Sequence, residues 1–511
     1  MAKLAKVFSA ELEGIDARCI EVEVDLHVGL HAFNIVGLAD KAVSEAKERV
    51  NSALKNSNVK PPTRENRKIT VNLAPADIKK AGSHYDLAIA IGYLLATEQM
   101  KPVDASKIIL VGELALDGTL RPIHGALSFA EMAAREGFAR VMLPEENAAE
   151  ASAISGIEIY PAHTLLEAID ILEGTAEPRV ITREQPQKEE ADLFSAIRGQ
   201  ASAKRALIIA AAGGHNLLMV GSPGAGKSMM AKSLISILPP LHPKESVEIT
   251  KIWSAAGLNT PGNEPLARPF RAPHHNASAV AIVGGGTNPK PGEISLAHRG
   301  ILFLDELPEF RRDILESLRQ PLEEGVVLVA RAKRSLRFPA NFTLIAAMNP
   351  CPCGYFGDEE KECRCSANEV FRYQKKISGP LLDRIDLQLS VPRLSVEELR
   401  SPRETSGENE TVSARAAVRR AREIQQARLA TAGLRLHTNS EMGSKEVEEL
   451  VTLLPEAEVF LKSALEKSFI SARGYYRVLK VARTIADLAE SEKVTKDHLA
   501  EAFGYRMKGK D

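Results

Sequence analysis

The chain has 511 residues, 44% apolar and 26% charged, with a net charge of −1. At roughly 100–200 residues per domain that length predicts about three domains, and the near-neutral total excludes any argument for a nucleic-acid partner from bulk charge, so a basic footprint has to be local. No run of about 18 or more apolar residues occurs, so no membrane span is expected; the start MAKLAKVFSAELEGIDARC does not read as a secretory signal, which makes the cytoplasm the expected compartment.

Ala17 to His27 alternates apolar and polar residues as a half-buried strand does, Asp40 to Asn56 is helical by pattern, and Lys68–Leu73 and Ile108–Leu114 read as strands. The polar stretch Gly174 to Ala191 reads as a linker. From Asp192 the pattern repeats helix, buried strand, Gly-rich loop and helix, which predicts an α/β unit with a parallel sheet. A second polar stretch, Ser401 to Thr411, precedes a region that is almost entirely helical by pattern. The divisions are 1–174, a linker at 175–191, an α/β core at 192–398 and a helical part at 399–511. Four of the five cysteines fall between Cys351 and Cys365, a local cluster and not a disulfide framework.

The strongest chemical signal follows the buried strand Leu217–Val220. Gly221-Ser222-Pro223-Gly224-Ala225-Gly226-Lys227-Ser228 matches G-x-x-x-x-G-K-[ST] between a strand and a helix. The glycines let backbone N–H groups turn around phosphates, and the helix N-terminus adds partial positive charge. Lys227 is placed for the β and γ phosphates of ATP and Ser228 for Mg²⁺. A second buried strand, Ile301–Leu304, ends in Asp305 and Glu306: the first suits Mg²⁺, the second a general base for the attacking water. A third, Phe342–Met348, ends at Asn349, where ligands collect in parallel sheets.

This order, continued by Gly379-Pro-Leu-Leu-Asp383-Arg384-Ile-Asp386, resembles AAA+ ATPases. More narrowly it is similar to the magnesium-chelatase-like branch and, within it, the ComM/YifB group. The stretches that carry this are Arg268 to His275, Ile301 to Glu309, Asn349 to Gly354, Ser378 to Asp386, and Ser471-Ala-Arg-Gly-Tyr-Tyr-Arg477. The resemblance implies that Arg384 is an arginine finger acting on a neighbouring subunit's ATP, and that Arg473 is the sensor 2 arginine delivered to the γ-phosphate by the helical lid, with Arg477 as the competing candidate. An arginine supplied by a neighbour implies a ring, by resemblance a hexamer.

Leu322 to Phe342 reads as strand, basic turn, strand, with Arg331, Lys333, Arg334 and Arg337 near the tip. The resemblance places here a hairpin that projects into the pore of ring helicases, where basic groups neutralise DNA phosphates; a solvated charged turn is the alternative. Arg415, Arg419, Arg420, Arg422 and Arg428 lie on one predicted helix, either as DNA contacts or as a solvated or ion-paired face. Ile252 to Leu296, with Arg268, Arg271, His274 and His275, corresponds to an insertion of this branch and a candidate for pore loops; the adjacent histidines suit packing or substrate contact better than a metal. Cys351, Cys353, Cys363 and Cys365 form two close pairs that can close a tetrahedral Zn²⁺ site, the alternative being four reduced thiols.

Lys80 to Leu95 and Gly112 to Met132 resemble the proteolytic domain of Lon, which implies an α+β fold like domain 2 of ribosomal protein S5. His84 stands at the serine position and Leu127 at the lysine position, so the serine–lysine dyad is absent. The expectation is a hexameric helicase or translocase on single-stranded or branched DNA, promoting branch migration in recombination and natural transformation. The alternative is a chelatase-type motor subunit that remodels a protein partner for metal insertion.

Overall fold

The computed structural model describes residues 3–64, 67–179, 192–258, 267–286, 289–330, 335–358, 360–394, 410–467 and 471–506. Strands β1 (Lys3–Glu13) and β2 (Asp16–Val28) pair antiparallel from Lys3↔Leu26 to Glu13↔Asp16. Ile20, Val22, Val24 and Leu26 alternate into the core, the period of two that marked this stretch as a strand. Next come β3 (Ala32–Val36), β4 (Arg67–Ala74), β5 (Ile108–Leu110), the small hairpin β6 (Glu113–Leu114) and β7 (Leu120–Arg121), β8 (Arg140–Pro144) and β9 (Glu158–Ala162). Seven of these form a mixed sheet in the order β3-β4-β2-β1-β5-β8-β9.

Two predicted elements are shorter than their pattern. Asp40 caps the turn Lys41–Ser44 by accepting from Val43 N, and the main helix restarts at Ala46 and runs to Asn56. The strand predicted over Ile108–Leu114 leaves the sheet after Leu110, because Gly112 N donates to His84 O at 2.8 Å. One face of the sheet is covered by the almost wholly buried helix Asp86–Ala96, the other by Ala126–Glu136.

A second sheet is entirely parallel. It comprises β10 (Leu217–Val220), β11 (Phe270–Arg271), β14 (Ile301–Leu304), β17 (Thr343–Met348) and β18 (Leu387–Ser390), in the order β11-β14-β17-β10-β18. Two hairpins lie outside it: β12 (Gly284–Gly285) with β13 (Lys290–Pro291), and β15 (Val326–Ala330) with β16 (Ser335–Pro339). The rest of the chain is helical: Glu410–Thr431, Ser444–Leu450, Pro455–Lys467, Ala472–Leu488 and Lys496–Gly504. These helices share an apolar core with Ala201–Gly213. Their buried Asp487 is held by Arg428 through two bonds of 2.8 Å, by Asn439 Nδ2 at 2.8 Å and by Arg483 Nε at 3.1 Å. Among the described residues no helix is long and apolar enough to cross a membrane.

The two sheets are tied together through the helix Pro243–Ala256. Lys251 Nζ meets Asp16 at 2.7 Å and Glu131 at 2.6 Å, Ser254 Oγ accepts from Gly125 N at 2.9 Å, and Ile15 is buried in the core under the parallel sheet.

In the first unit the Lon-like positions are filled by packing. His84 is buried against Tyr85 and Phe129, its Nε2 is 2.8 Å from Ala10 O, and burial pulls its pKa down to about 4, so the ring is neutral. Leu127 is fully buried, and Ser83 Oγ donates to Glu113. Beside them Glu11 accepts from Tyr85 OH at 2.6 Å and Ala81 N at 2.9 Å, both on Oε2. Burial pushes its pKa from 4.5 to about 7, against the pull of those bonds. The folded state therefore holds a proton that the unfolded state releases, and Glu11's stabilising contribution, complete below pH 4.5, is lost as pH rises through about 7. Glu11→Gln keeps an acceptor for both partners. Thermal unfolding followed from pH 4 to 8 should show a melting temperature that falls less with rising pH than in wild type, with the variant the more stable at pH 8. Parallel profiles would refute the assignment.

Candidate active site

The register of the parallel sheet assembles the site. Pairing sets Val220 of β10 beside Met348 of β17, and Leu304 of β14 beside Ala346, so the carboxyl ends of the three strands lie side by side. At the end of β10 a Cβ on Gly221 would stand 2.2 Å from Val391 O, so a larger residue would force β10 and the segment after β18 apart. Gly224 and Gly226 have φ of +81° and +84°, in the left-handed region that favours glycine, and the helix Lys227–Ile237 starts directly after them. Its N-terminal N–H groups face the loop, the arrangement that binds phosphate.

Lys227 Nζ bridges the loop, donating to Gly221 O at 2.6 Å, Ser222 O at 3.0 Å and Asn349 Oδ1 at 3.2 Å. Burial lowers its pKa, against the opposing pull of Asp305 and Glu306. Ser228 Oγ donates to Asp305 Oδ2 at 2.7 Å, so the two oxygens that suit Mg²⁺ already face each other. Glu306 follows with φ of +52° and an exposed carboxylate, and His275 Nδ1 lies 3.5 Å from its Oε2. Gly221 to Ser228, Asp305, Glu306 and Asn349 therefore occupy one place. The set fits a nucleoside triphosphate with Mg²⁺: a glycine cradle, one ammonium, a hydroxyl–carboxylate pair and a second carboxylate, that of Glu306, exposed to water beside His275.

A cavity of about 340 Å³ continues from the loop, lined by Ile197, Gln200, Ala225, Met229, Met230 and Leu394 among others. Its apolar lining suits the base of a nucleotide. Gln200 shapes it, its Nε2 donating to Ala225 O and Pro392 O, each at 3.2 Å. Ile197, Gln200 and Leu394 lie outside the motif of Gly221 to Ser228. The available signal was Arg198-Gly199-Gln200 just before a helix; Gly199 and Gln200 both take left-handed φ, +53° and +51°.

Directly after Asn349 the chain enters the cysteine cluster. Cys351 Sγ is 3.4 Å from Cys353 Sγ and 3.7 Å from Cys363 Sγ, and Cys353 and Cys363 are 3.6 Å apart. With Cys365, all four sulfurs lie within 4.8 Å of one another. A tetrahedral Zn²⁺ with Zn–S bonds of ~2.3 Å needs sulfurs about 3.8 Å apart, so the cluster has the size of a metal cage.

Other expected residues lie elsewhere. Arg384 is 7% exposed at its side chain and paired within the chain to Glu323 at 2.6 Å, not to its neighbours Asp383 or Asp386. Arg473 meets the same Glu323 at 3.6 Å, and Arg477 donates to Asp386 at 2.5 Å and to Arg384 O at 2.8 Å. This group sits at the opening ends of the parallel strands, where Asn216, the residue before β10, donates to Arg384 O at 3.2 Å. The helical part thus holds Arg473 beside Glu323, at the end of the sheet opposite its own chain's P-loop.

The arginines of Glu410–Thr431 are mostly structural: Arg415 donates to Ser236 O, Arg422 to Ala211 O, and Arg419 and Arg420 pair with Glu423 and Glu490. Arg268 and Arg271 are likewise ion-paired, with Glu245 and Glu293. Arg331, Lys333 and Arg334 lie outside the described residues; the strands flanking them form the expected hairpin, closing at Ala330↔Ser335.

Comparison with known proteins gives this arrangement a family. Residues 193–399 match the description Magnesium chelatase, subunit ChlI; residues 22–147 match Subunit ChlI of Mg-chelatase, and residues 408–506 its C-terminal part. The competence protein ComM of Haemophilus influenzae is 44% identical over 512 residues, covering 98% of this chain and 97% of that protein. The chain belongs to the ComM/YifB family of magnesium-chelatase-like AAA+ proteins. The YifB protein of Salmonella typhimurium is 41% identical, again covering 98% of this chain and 97% of its own. The magnesium-chelatase 38 kDa subunit of Rhodobacter capsulatus is more distant, 25% identical over 60% of this chain and 89% of its own. Membership in this family implies use of ATP and Mg²⁺.

Lys227→Ala should abolish binding of a fluorescent ATP analogue, because it removes the only ammonium held over the loop among the described residues. Glu306→Gln should bind the analogue as wild type does and lose phosphate release, since the cradle survives without the base. Wild-type hydrolysis by Glu306→Gln would remove that residue from the chemistry.

Proposed function

We propose that the protein is an ATP-hydrolysing ring motor in which Arg384, with Arg473 or Arg477, serves the nucleotide of the neighbouring subunit. The observation that carries this is the placement of the three guanidinium groups at the opening ends of strands whose closing ends hold the P-loop. Across β10 alone, at ~3.3 Å per residue, that separation is about 13 Å. Such arginines serve catalysis only if a second chain brings its phosphates to them. Glu323 takes the place of that anion in the single chain, accepting from Arg384 and lying within ion-pair reach of Arg473. Asp305 and Ser228 hold Mg²⁺, Glu306 accepts the proton of the attacking water, and Asn349 positions the γ-phosphate or that water. The ring is a hexamer acting in the cytoplasm. The four cysteines hold one structural Zn²⁺; elemental analysis of reduced protein should find about one per chain.

The substrate is DNA, single-stranded or branched, and the activity helicase-driven branch migration during recombination and natural transformation. The likeness to a competence protein supports this, as does the pairing of β15 with β16, between which the sequence carries Arg331, Lys333 and Arg334. The chelatase-type motor acting on a protein partner is the second reading, favoured by the ChlI matches along the chain. ATPase rates with and without single-stranded and forked DNA separate the two: stimulation supports the first, and no response to either DNA overturns it.

Arg384→Ala should lower hydrolysis by a factor on the order of 10³ while ATP binding persists. Mixing it with Glu306→Gln should restore activity at interfaces that pair one intact half-site with another. No recovery at any mixing ratio would place Arg384 outside the neighbour's site. Changing Arg331, Lys333 and Arg334 together to Ala should spare basal hydrolysis and weaken DNA binding for all sequences alike. The magnitude of the salt slope should fall by up to about two or three units. Forked DNA unwound at the wild-type rate would exclude the hairpin as the DNA-gripping element.

A further inference from the structure

The cysteine cluster touches the phosphate loop. Gly354, the residue after Cys353, lies so close to Pro223 that a Cβ there would stand 2.7 Å from both Cγ and Cδ of the proline. Asp358, which caps Glu360 N and Lys361 N within the same segment, faces the Ser222 hydroxyl, which helps hold its carboxyl below the ordinary range. Arg393 joins the two segments from the far side: its guanidinium lies 5.7 Å from the Tyr355 ring, 3.9 Å from Glu360, and donates to Pro223 O at 3.4 Å. Cys351 is fully buried two residues after Asn349, whose Oδ1 accepts from Lys227. The described residues from Cys351 to Cys365 contain no helix or strand, so no backbone ladder of their own fixes the segment. Reduced thiols are weak hydrogen-bond groups, whereas a bound metal ties four of them into one rigid unit.

We infer that this metal-tied knuckle is a brace for the nucleotide site, so that occupancy of the four thiolates by Zn²⁺ sets how tightly the P-loop holds nucleotide. The inference rests on the Zn²⁺ and nucleotide assignments proposed above. The metal touches no nucleotide and has no open position for chemistry. It fixes Gly354 and Asp358, which hold Pro223 and Ser222 in the conformation that aims the loop at phosphate, and it anchors the segment that begins at Asn349. Loss of the metal frees the knuckle and removes its contacts with Pro223 and Ser222, leaving the bonds from Arg393 and Lys227 to hold them, so phosphate binding must reorder part of the loop at the expense of affinity.

The test is a titration with fluorescently labelled ADP, a readout independent of hydrolysis, on the full chain under reducing conditions with metal content measured in parallel. Zinc-loaded protein, chelator-stripped protein and stripped protein resupplied with Zn²⁺ are compared. Stripping should weaken binding tenfold or more, and Zn²⁺ should restore it. Asp358→Ala removes the carboxylate that faces Ser222 without touching a sulfur. It should keep its full zinc content and still bind labelled ADP several-fold more weakly, an outcome that general unfolding on metal removal cannot produce. Unchanged affinity in stripped protein that still unfolds cooperatively, or wild-type affinity in zinc-loaded Asp358→Ala, overturns the brace. Protein that binds ADP tightly with no zinc refutes the metal assignment and the brace with it. Zinc-loaded protein that binds no nucleotide refutes the nucleotide site.

Discussion

Asn216 joins the starts of three strands. Its Oδ1 accepts from Leu344 N of β17 at 2.8 Å, its Nδ2 donates to Arg384 O at 3.2 Å, and its backbone carbonyl accepts from Asp386 and Leu387 at 3.1 and 2.9 Å. The register of β10 between β17 and β18 is thereby pinned at one end, and everything at the other end depends on it. A slip of one residue would turn each side chain to the opposite face and carry Asn349 away from Lys227. The same residue connects the two functional poles: the P-loop grows from the strand that Asn216 begins, and Arg384 is bonded to its side chain.

The two poles differ in how their charges are satisfied. At the P-loop, the Lys227 ammonium is held by carbonyl oxygens, weaker partners than a carboxylate, so phosphate oxygens can replace them at small cost. At the other pole the charges are strongly paired. Asp386 is fully buried; burial alone would raise its pKa, but Arg477 and His215 hold it well below the ordinary carboxylate range. Glu323, by contrast, is partly exposed and shared between Arg384 and Arg473. It is the partner most easily exchanged for another anion, because its desolvation is least.

In the first unit the positions that resemble Lon are filled by packed side chains. His84 is neutral and packs tilted against Phe129, and Leu127 is fully buried. Among the described residues the unit meets the helix Pro243–Ala256, where Lys251 is shared between Asp16 and Glu131, and its Ile15 enters the core under the parallel sheet. That helix also supplies Glu245 to Arg268 and Glu248 to Arg299. Arg268, Arg299 and the first unit therefore all meet the same helix.

The sequence by itself determined the features that act through contiguous backbone. The P-loop is legible because its glycines, lysine and serine lie on one turn between a strand and a helix, and Asp305, Glu306 and Asn349 because they end continuous apolar runs. The hairpin around 331–334 is legible from its two apolar arms, and the cysteine cluster from close spacing. What only the tertiary structure decided is where long side chains point. Arg415 and Arg422 share a helix face with Arg419 by spacing, yet the first two end on carbonyls of Ser236 and Ala211, nearly two hundred and more residues away in the chain, while Arg419 stays in solvent. Arg473 ends on Glu323, since the docking of a whole helix decides which end of the sheet it faces. His275 opposite Glu306 and the slot beside Gln200 arise in the same way, from segments that meet only after the sheet has formed. A local pattern fixes which backbone a residue sits on; a flexible side chain several bonds long takes its partner from the packing around it.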